Sequence, residues 1–175
     1  VTGVQTCALP IYPEDVWDQG GTYTFLSSAQ TLYLSSSNNG DTVDITVEGL
    51  DANWALQTAT KALTGQTQTA LAGTWLRVFR AYNADSSTHA GDVYVAETDN
   101  LTGGVPDTAS KIKAKITATA QQTLMAIYTI PAGYTGYMLR WYASQAIGQS
   151  NYAIVELQAK ASGNVFRTKR RVGLT

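Results

Sequence analysis

Between Thr42 and Glu48 apolar and polar residues alternate without a break: Val43, Ile45 and Val47 are interleaved with Thr42, Asp44, Thr46 and Glu48. A period of two puts the apolar side chains on one side of an extended chain and the polar ones on the other, which is the pattern of a half-buried strand. The pattern returns in Gly91–Glu97, with Val93 and Val95 inward, and in Asn151–Lys160, with Ala153, Val155, Leu157 and Ala159 inward. Nowhere do apolar residues keep a 3.6-residue period over the length of a helix. Residues 107–113 have room for one helical turn at most. These patterns confine the chain to β architectures.

Three further stretches, Trp75–Tyr82, Thr123–Ile130 and Tyr134–Ser144, are apolar on both faces and predict central strands covered on both sides. Weaker strand signals lie at Thr22–Ser27, Gln30–Ser35, Asn53–Ala62, Gln66–Ala72, Lys111–Thr117 and Asn164–Lys169. Turn residues fall between them: Asn38-Asn39-Gly40, the longer loop Asp99–Pro106, and Pro131-Ala132-Gly133. The expectation is an all-β fold, a two-sheet antiparallel β-sandwich of jelly-roll-like type with about ten to twelve strands. Val43, Ile45, Val47, Leu76, Val78, Val93, Val95, Leu124, Ile127, Leu139, Val155 and Leu157 are expected to supply its core.

The first eleven residues, Val-Thr-Gly-Val-Gln-Thr-Cys-Ala-Leu-Pro-Ile, reproduce the in-frame translation of a common short-read sequencing adapter. They are expected to be an artefact, as is Cys7, with residues 12–175 forming one β-sandwich domain truncated at the N-terminus and at the C-terminus as well. The domain has no other cysteine, so it holds neither disulfides nor thiolate metal sites. Only 14% of the chain is charged, against about 25% in ordinary domains. No apolar run approaches the ~20 residues of a membrane-spanning helix. Residues 1–110 carry twelve acids and three bases, whereas residues 111–175 carry one acid, Glu156, and nine bases. Interleaved strands that neutralise one another would account for this. The alternative is a basic surface that faces nucleic acid or an acidic neighbouring subunit.

Candidate chemistry is sparse. A lone histidine, His89, in Asp85–Gly91, reads as a solvated loop residue and leaves a serine or threonine nucleophile without a base. Glu48 with Asp51, and Glu97 with Asp99, are carboxylate pairs of the kind a glycosidase or a calcium site uses, but their placement reads as exposed acids at strand ends. Trp54, Trp75, Trp141, Tyr134, Tyr137 and Tyr142 would suit a sugar-stacking platform, and suit a sandwich core or subunit interface better. Arg167-Thr-Lys-Arg-Arg171 is a short basic cluster, read as a solvated end. No catalytic, cofactor-binding or metal-ligating residue is assigned.

Two stretches, Thr46-Val-Glu-Gly-Leu-Asp-Ala-Asn-Trp54 and Gln122-Thr-Leu-Met-Ala-Ile-Tyr-Thr-Ile-Pro-Ala-Gly-Tyr-Thr-Gly-Tyr137, resemble a group of uncharacterised virion structural proteins of marine tailed bacteriophages. Trp75–Tyr82, Gly91–Val95 and Gly103–Pro106 fit the same order, so the likeness spans roughly residues 20–170. The resemblance implies a virion component, in a decoration, neck or tail-associated position, that acts by assembly and not as an enzyme. It implies no cofactor. Copies of the chain and other virion proteins are the partners implied, with host-surface glycan as a further candidate and neither membrane nor nucleic acid expected. The alternative is a carbohydrate-binding β-sandwich module for host or glycan recognition, with a secreted hydrolase third.

Overall fold

The computed structural model describes residues 13–144, 153–161 and 165–174. Residues 1–11, read above as adapter-derived, lie outside the described residues, as do Asn151 and Asn164 of the predicted strands. Eleven strands run through the described residues: β1 (Tyr33–Ser36), β2 (Asp44–Leu50), β3 (Leu56–Ala62), β4 (Thr69–Ala70), β5 (Arg77–Asn83), β6 (Val93–Ala96), β7 (Leu101–Thr102), β8 (Val105–Pro106), β9 (Ile112–Ile116), β10 (Ala153–Ala159) and β11 (Arg167–Leu174). The fold is all-β, and the described helical structure is a single 3₁₀ turn at Ala109–Lys111. The strands form antiparallel sheets: β4-β1-β6-β9, β3-β2-β5 and the hairpins β7-β8 and β10-β11. Two compact units divide the chain, Val1–Tyr134 and Thr135–Thr175.

In the first unit the alternation does what it predicts. Val43, Ile45 and Val47 are buried, and so are Leu76, Val78, Val93 and Val95. All of these but Leu76 join Leu32, Leu34, Ala114 and Ile116 in one apolar cluster that draws on both the four-stranded and the three-stranded sheet. Trp75 is fully buried in the same cluster, its indole N–H donated to the Ala72 carbonyl at 3.1 Å. Indole burial of this kind brings a large apolar area out of water and still pairs the one polar atom.

Strand β6 departs from expectation. All four residues of Val93–Ala96 are buried, although the sequence alternates. The N-terminal segment causes this, because Trp17, Tyr23 and Phe25 pack with Tyr94, Ala96 and Ile112 in a second cluster. The Trp17 and Tyr23 rings meet edge to face at 4.9 Å, as do Tyr23 and Phe25. The predicted strand Thr22–Ser27 is therefore a covering segment without a ladder.

The doubly apolar stretches depart in the opposite sense. Thr123–Ile130 is tied by single contacts, Thr123 N–H to the Ala81 carbonyl and Ala126 N–H to the Val16 carbonyl, and Tyr134–Ser144 forms no strand. A strand needs a partner for its backbone groups, and apolar composition alone does not supply one. Leu124 and Leu139, expected in the core, are 66% and 90% exposed. Ile127, Val155 and Leu157 are half-buried. The Asp99–Pro106 loop contains the short hairpin β7-β8, closed by Gly103 and Gly104. Gly104 has φ +82°, and a Cβ there would run into the Ser36 carbonyl, so the turn requires glycine twice over.

Candidate interaction surfaces

The two carboxylate pairs do not form a cleft. Glu48 sits inside β2, opposite Arg80 of β5 and 4.0 Å from its guanidinium. Asp51 begins the β2–β3 turn, where its Oδ1 accepts the N–H groups of Asn53 and Ala55 at 2.8 and 2.9 Å. Glu97 and Asp99 belong to a ladder of ion pairs along one face of β9. Lys111 meets Asp99 at 2.9 Å, Lys113 meets Glu97 at 2.8 Å and Lys115 meets Asp92 at 2.9 Å. Glu97 and Asp99 are thus not free strand-end acids. Ala114 and Ile116 are in the cluster shared by the two larger sheets, so Lys113 and Lys115 fall on the opposite face.

Lys113 is the demanding member, since its side chain is buried. All three of its ammonium donors are used, by Glu97, by the Thr24 carbonyl at 3.0 Å and by the Ser110 carbonyl at 2.7 Å. A buried ammonium is tolerated only when it is paired and fully hydrogen-bonded. Burial alone would raise the Glu97 carboxyl, but hydrogen bonds from Lys113 and Gln30, with the charges of Lys113 and Lys111, hold it below the usual carboxylate range. Asp92 is likewise held low: burial opposes it, and Lys115, the Ala118 N–H and the Tyr94 hydroxyl outweigh burial. Burial and the same carboxylate push the Tyr94 phenol up to about 12.

His89 overturns its expectation most plainly. It is 1% exposed, not solvated. Its Nδ1 lies 2.8 Å from the Gly91 carbonyl and its Nε2 lies 2.6 Å from the Ala120 carbonyl. Asp41 stands nearby. Burial would raise its carboxyl, but the N–H groups of Ala90 and Gly91, the Ser36 hydroxyl and the charge of His89 hold it low. This knot pins the 84–91 loop to the body, and both ring nitrogens are occupied by backbone. The sequence signal available was Asp41 in the same turn region as Asn38-Asn39-Gly40, which local reading does not connect to residue 89.

The aromatic candidates separate. Trp75 is core. Trp54 is 39% exposed and holds φ +61°, a left-handed conformation rarely taken by a bulky residue. The Arg77 guanidinium lies 4.9 Å from its indole ring and 4.9 Å from the Phe25 ring. Arg77 is fixed by the carbonyls of Leu26 and Leu76. Tyr134, Tyr137 and Tyr142 are exposed and Trp141 is half-buried. In the second unit, Met138–Ala143 and Leu157, Arg170 and Val172 line an open groove of about 510 Å³. Among the described residues no cluster of His, Cys, Asp or Glu has the makings of a metal site, and no helix is long and apolar enough to cross a membrane.

No protein-family model, curated protein or solved structure matches this chain.

Proposed function

We propose that the chain is a structural component of a bacteriophage virion, a jelly-roll-like β-sandwich that works by assembly and not by catalysis. One observation carries the reading. Between Leu124 and Tyr142 the chain exposes Leu124, Tyr128, Ile130, Tyr134, Tyr137, Met138, Leu139 and Tyr142. An isolated soluble domain seldom leaves so long an apolar run in water, whereas an assembly subunit keeps one for its neighbours. The sandwich reading is supported by the cluster that draws on both larger sheets. The phage reading is supported by the resemblance of Thr46–Trp54 and Gln122–Tyr137 to virion proteins.

Mass photometry and electron microscopy of the full chain test the proposal. Discrete oligomers or ordered arrays at micromolar concentration are the expected result. A monomer at every concentration, with no affinity for particle proteins, would overturn it.

The second reading is glycan recognition, and Trp54 favours it. The indole is presented on a left-handed turn and stiffened by Arg77 beneath it, which is how a stacking platform is held. Binding on a glycan array that Trp54→Ala abolishes while the melting temperature is kept would establish that role.

A further inference from the structure

Charge is unevenly divided between the units. Val1–Tyr134 carries twelve acids against six bases, net −6, and Thr135–Thr175 carries six bases against one acid, net +5. In the first unit three of the bases are consumed by the β9 ladder. In the second, Glu156 takes Arg171 at 2.8 Å, and Arg167, Lys169 and Arg170 have no acidic partner among the described residues. Val165, two residues before Arg167, is exposed, as is Ile154 at the Gly173 end of the hairpin. A lone two-stranded hairpin is at best marginally stable in water, and β10-β11 pairs with no third strand among the described residues.

The first unit carries the complementary face. The Trp17–Met125 bridge turns both of those side chains into the second cluster. Glu14, Val16, Leu124, Ala126 and Tyr128 are exposed around that bridge, and half-buried Asp18 accepts the Leu124 N–H through one carboxylate oxygen at 2.7 Å, leaving its other oxygen for a cation. Val16 is 63% exposed and Tyr128 65%. Glu14 makes no ion pair among the described residues. The face therefore mixes carboxylates with open apolar surface, just as the hairpin mixes cations with it.

We propose that this face of one copy receives the β10-β11 hairpin of a second copy, with Arg167 and Lys169 against Glu14 and Asp18 and the apolar residues of each covering the other's. The inference rests on the assembly reading and names the partner of that surface. Nucleic acid fits less well: Ile154 and Val165 would lie unused against phosphates, and the acidic body would repel them.

Sedimentation of the full chain tests this. Self-association should weaken about tenfold or more between about 0.05 M and about 0.5 M salt. Arg167→Glu/Lys169→Glu should weaken it by a similar factor, and so should Glu14→Lys/Leu124→Lys. An equimolar mixture of the two variants should regain it, because the reversed hairpin then meets the reversed face. All four positions are exposed, unchanged melting checks folding, and the salt series needs no variant. Association indifferent to salt and to both reversals would remove this contact and leave the assembly reading standing. Absence of self-association would remove the contact, and with it the assembly reading if particle proteins are not bound either. Duplex-DNA binding lost in the hairpin variant, without self-association, would reassign the hairpin to nucleic acid.

Discussion

Strands β6 and β11 show how differently the two units use β-forming sequence. Every residue of Val93–Ala96 is buried, with one face against the shared cluster and the other against Trp17, Tyr23 and Phe25. In β11, Arg167–Arg171 are all exposed, only Val172 and Leu174 are half-buried, and the strand pairs with one other among the described residues. Around β6 the first unit pairs its charges, Lys111, Lys113 and Lys115 with Asp99, Glu97 and Asp92, and its buried cation is saturated. The second holds unspent charge and open apolar surface. Pairing, more than composition, separates the covered strand β6 from the open strand β11.

The largest expected effect is on core truncation. Trp75→Ala or Ile45→Ala should cost about 3–5 kcal/mol in denaturant unfolding, since each leaves a void between packed sheets. Leu139→Ala and Tyr142→Ala, removing side chains of similar size, should alter the stability of dilute protein by no more than about 0.5 kcal/mol. Comparable losses in both units would break the distinction.

Gly104→Ala should cost about 2–3 kcal/mol by the same measurement, because a Cβ meets both a left-handed φ and the Ser36 carbonyl. Glu97→Gln should cost about 2 kcal/mol, discounted for the partial exposure of the carboxylate, as the buried Lys113 ammonium loses its counter-charge. Glu97→Leu with Lys113→Met should recover most of that loss, because no unpaired charge remains.

Acid sharpens the contrast further. Asp41, Asp92 and Glu97 are all held below their ordinary values in the folded chain. A depressed carboxyl stabilises fully above its unfolded value, near pH 4, and that stability is lost as pH falls through the lower folded value. Melting temperature should accordingly be flat from about pH 7 to about pH 5 as regards these groups and drop steeply below about pH 4. In Glu97→Gln the acid drop should be shallower. The smallest effect is at Trp54: Trp54→Asn relieves the left-handed backbone and loses the Arg77 stack, so the two nearly cancel, within about 1 kcal/mol.

Period-two alternation made β2, β6 and the hairpin strand β10 legible, because a strand half in water writes its orientation into every second residue. It could not reveal that Tyr94 is buried, since the covering segment at residues 17–26 lies some seventy residues away in sequence. Nor could it tell a core strand from an exposed segment at Thr123–Ile130 and Tyr134–Ser144: either can be apolar on both faces, and what pairs with the backbone is not written locally. The Lys111-Ile-Lys-Ala-Lys-Ile116 pattern held a real clue to the ion-pair ladder, with lysines at every second position against apolar residues. His89 reads as solvated because its neighbours Asp85–Thr88 are polar, and those neighbours are exposed while His89 is not. The carbonyls and the carboxylate that enclose it come from residues 41, 91 and 120.

Hydrogen exchange on the full chain, followed by mass spectrometry over a dilution series, tests the central claim most directly. Peptides spanning β2, β5, β6 and β9 should stay protected at every concentration. Peptides from residues 153–174 should exchange rapidly when dilute and become protected as concentration rises, and high salt should reverse that protection. Protection of residues 153–174 that is already complete in dilute protein and independent of concentration and salt would contradict the account.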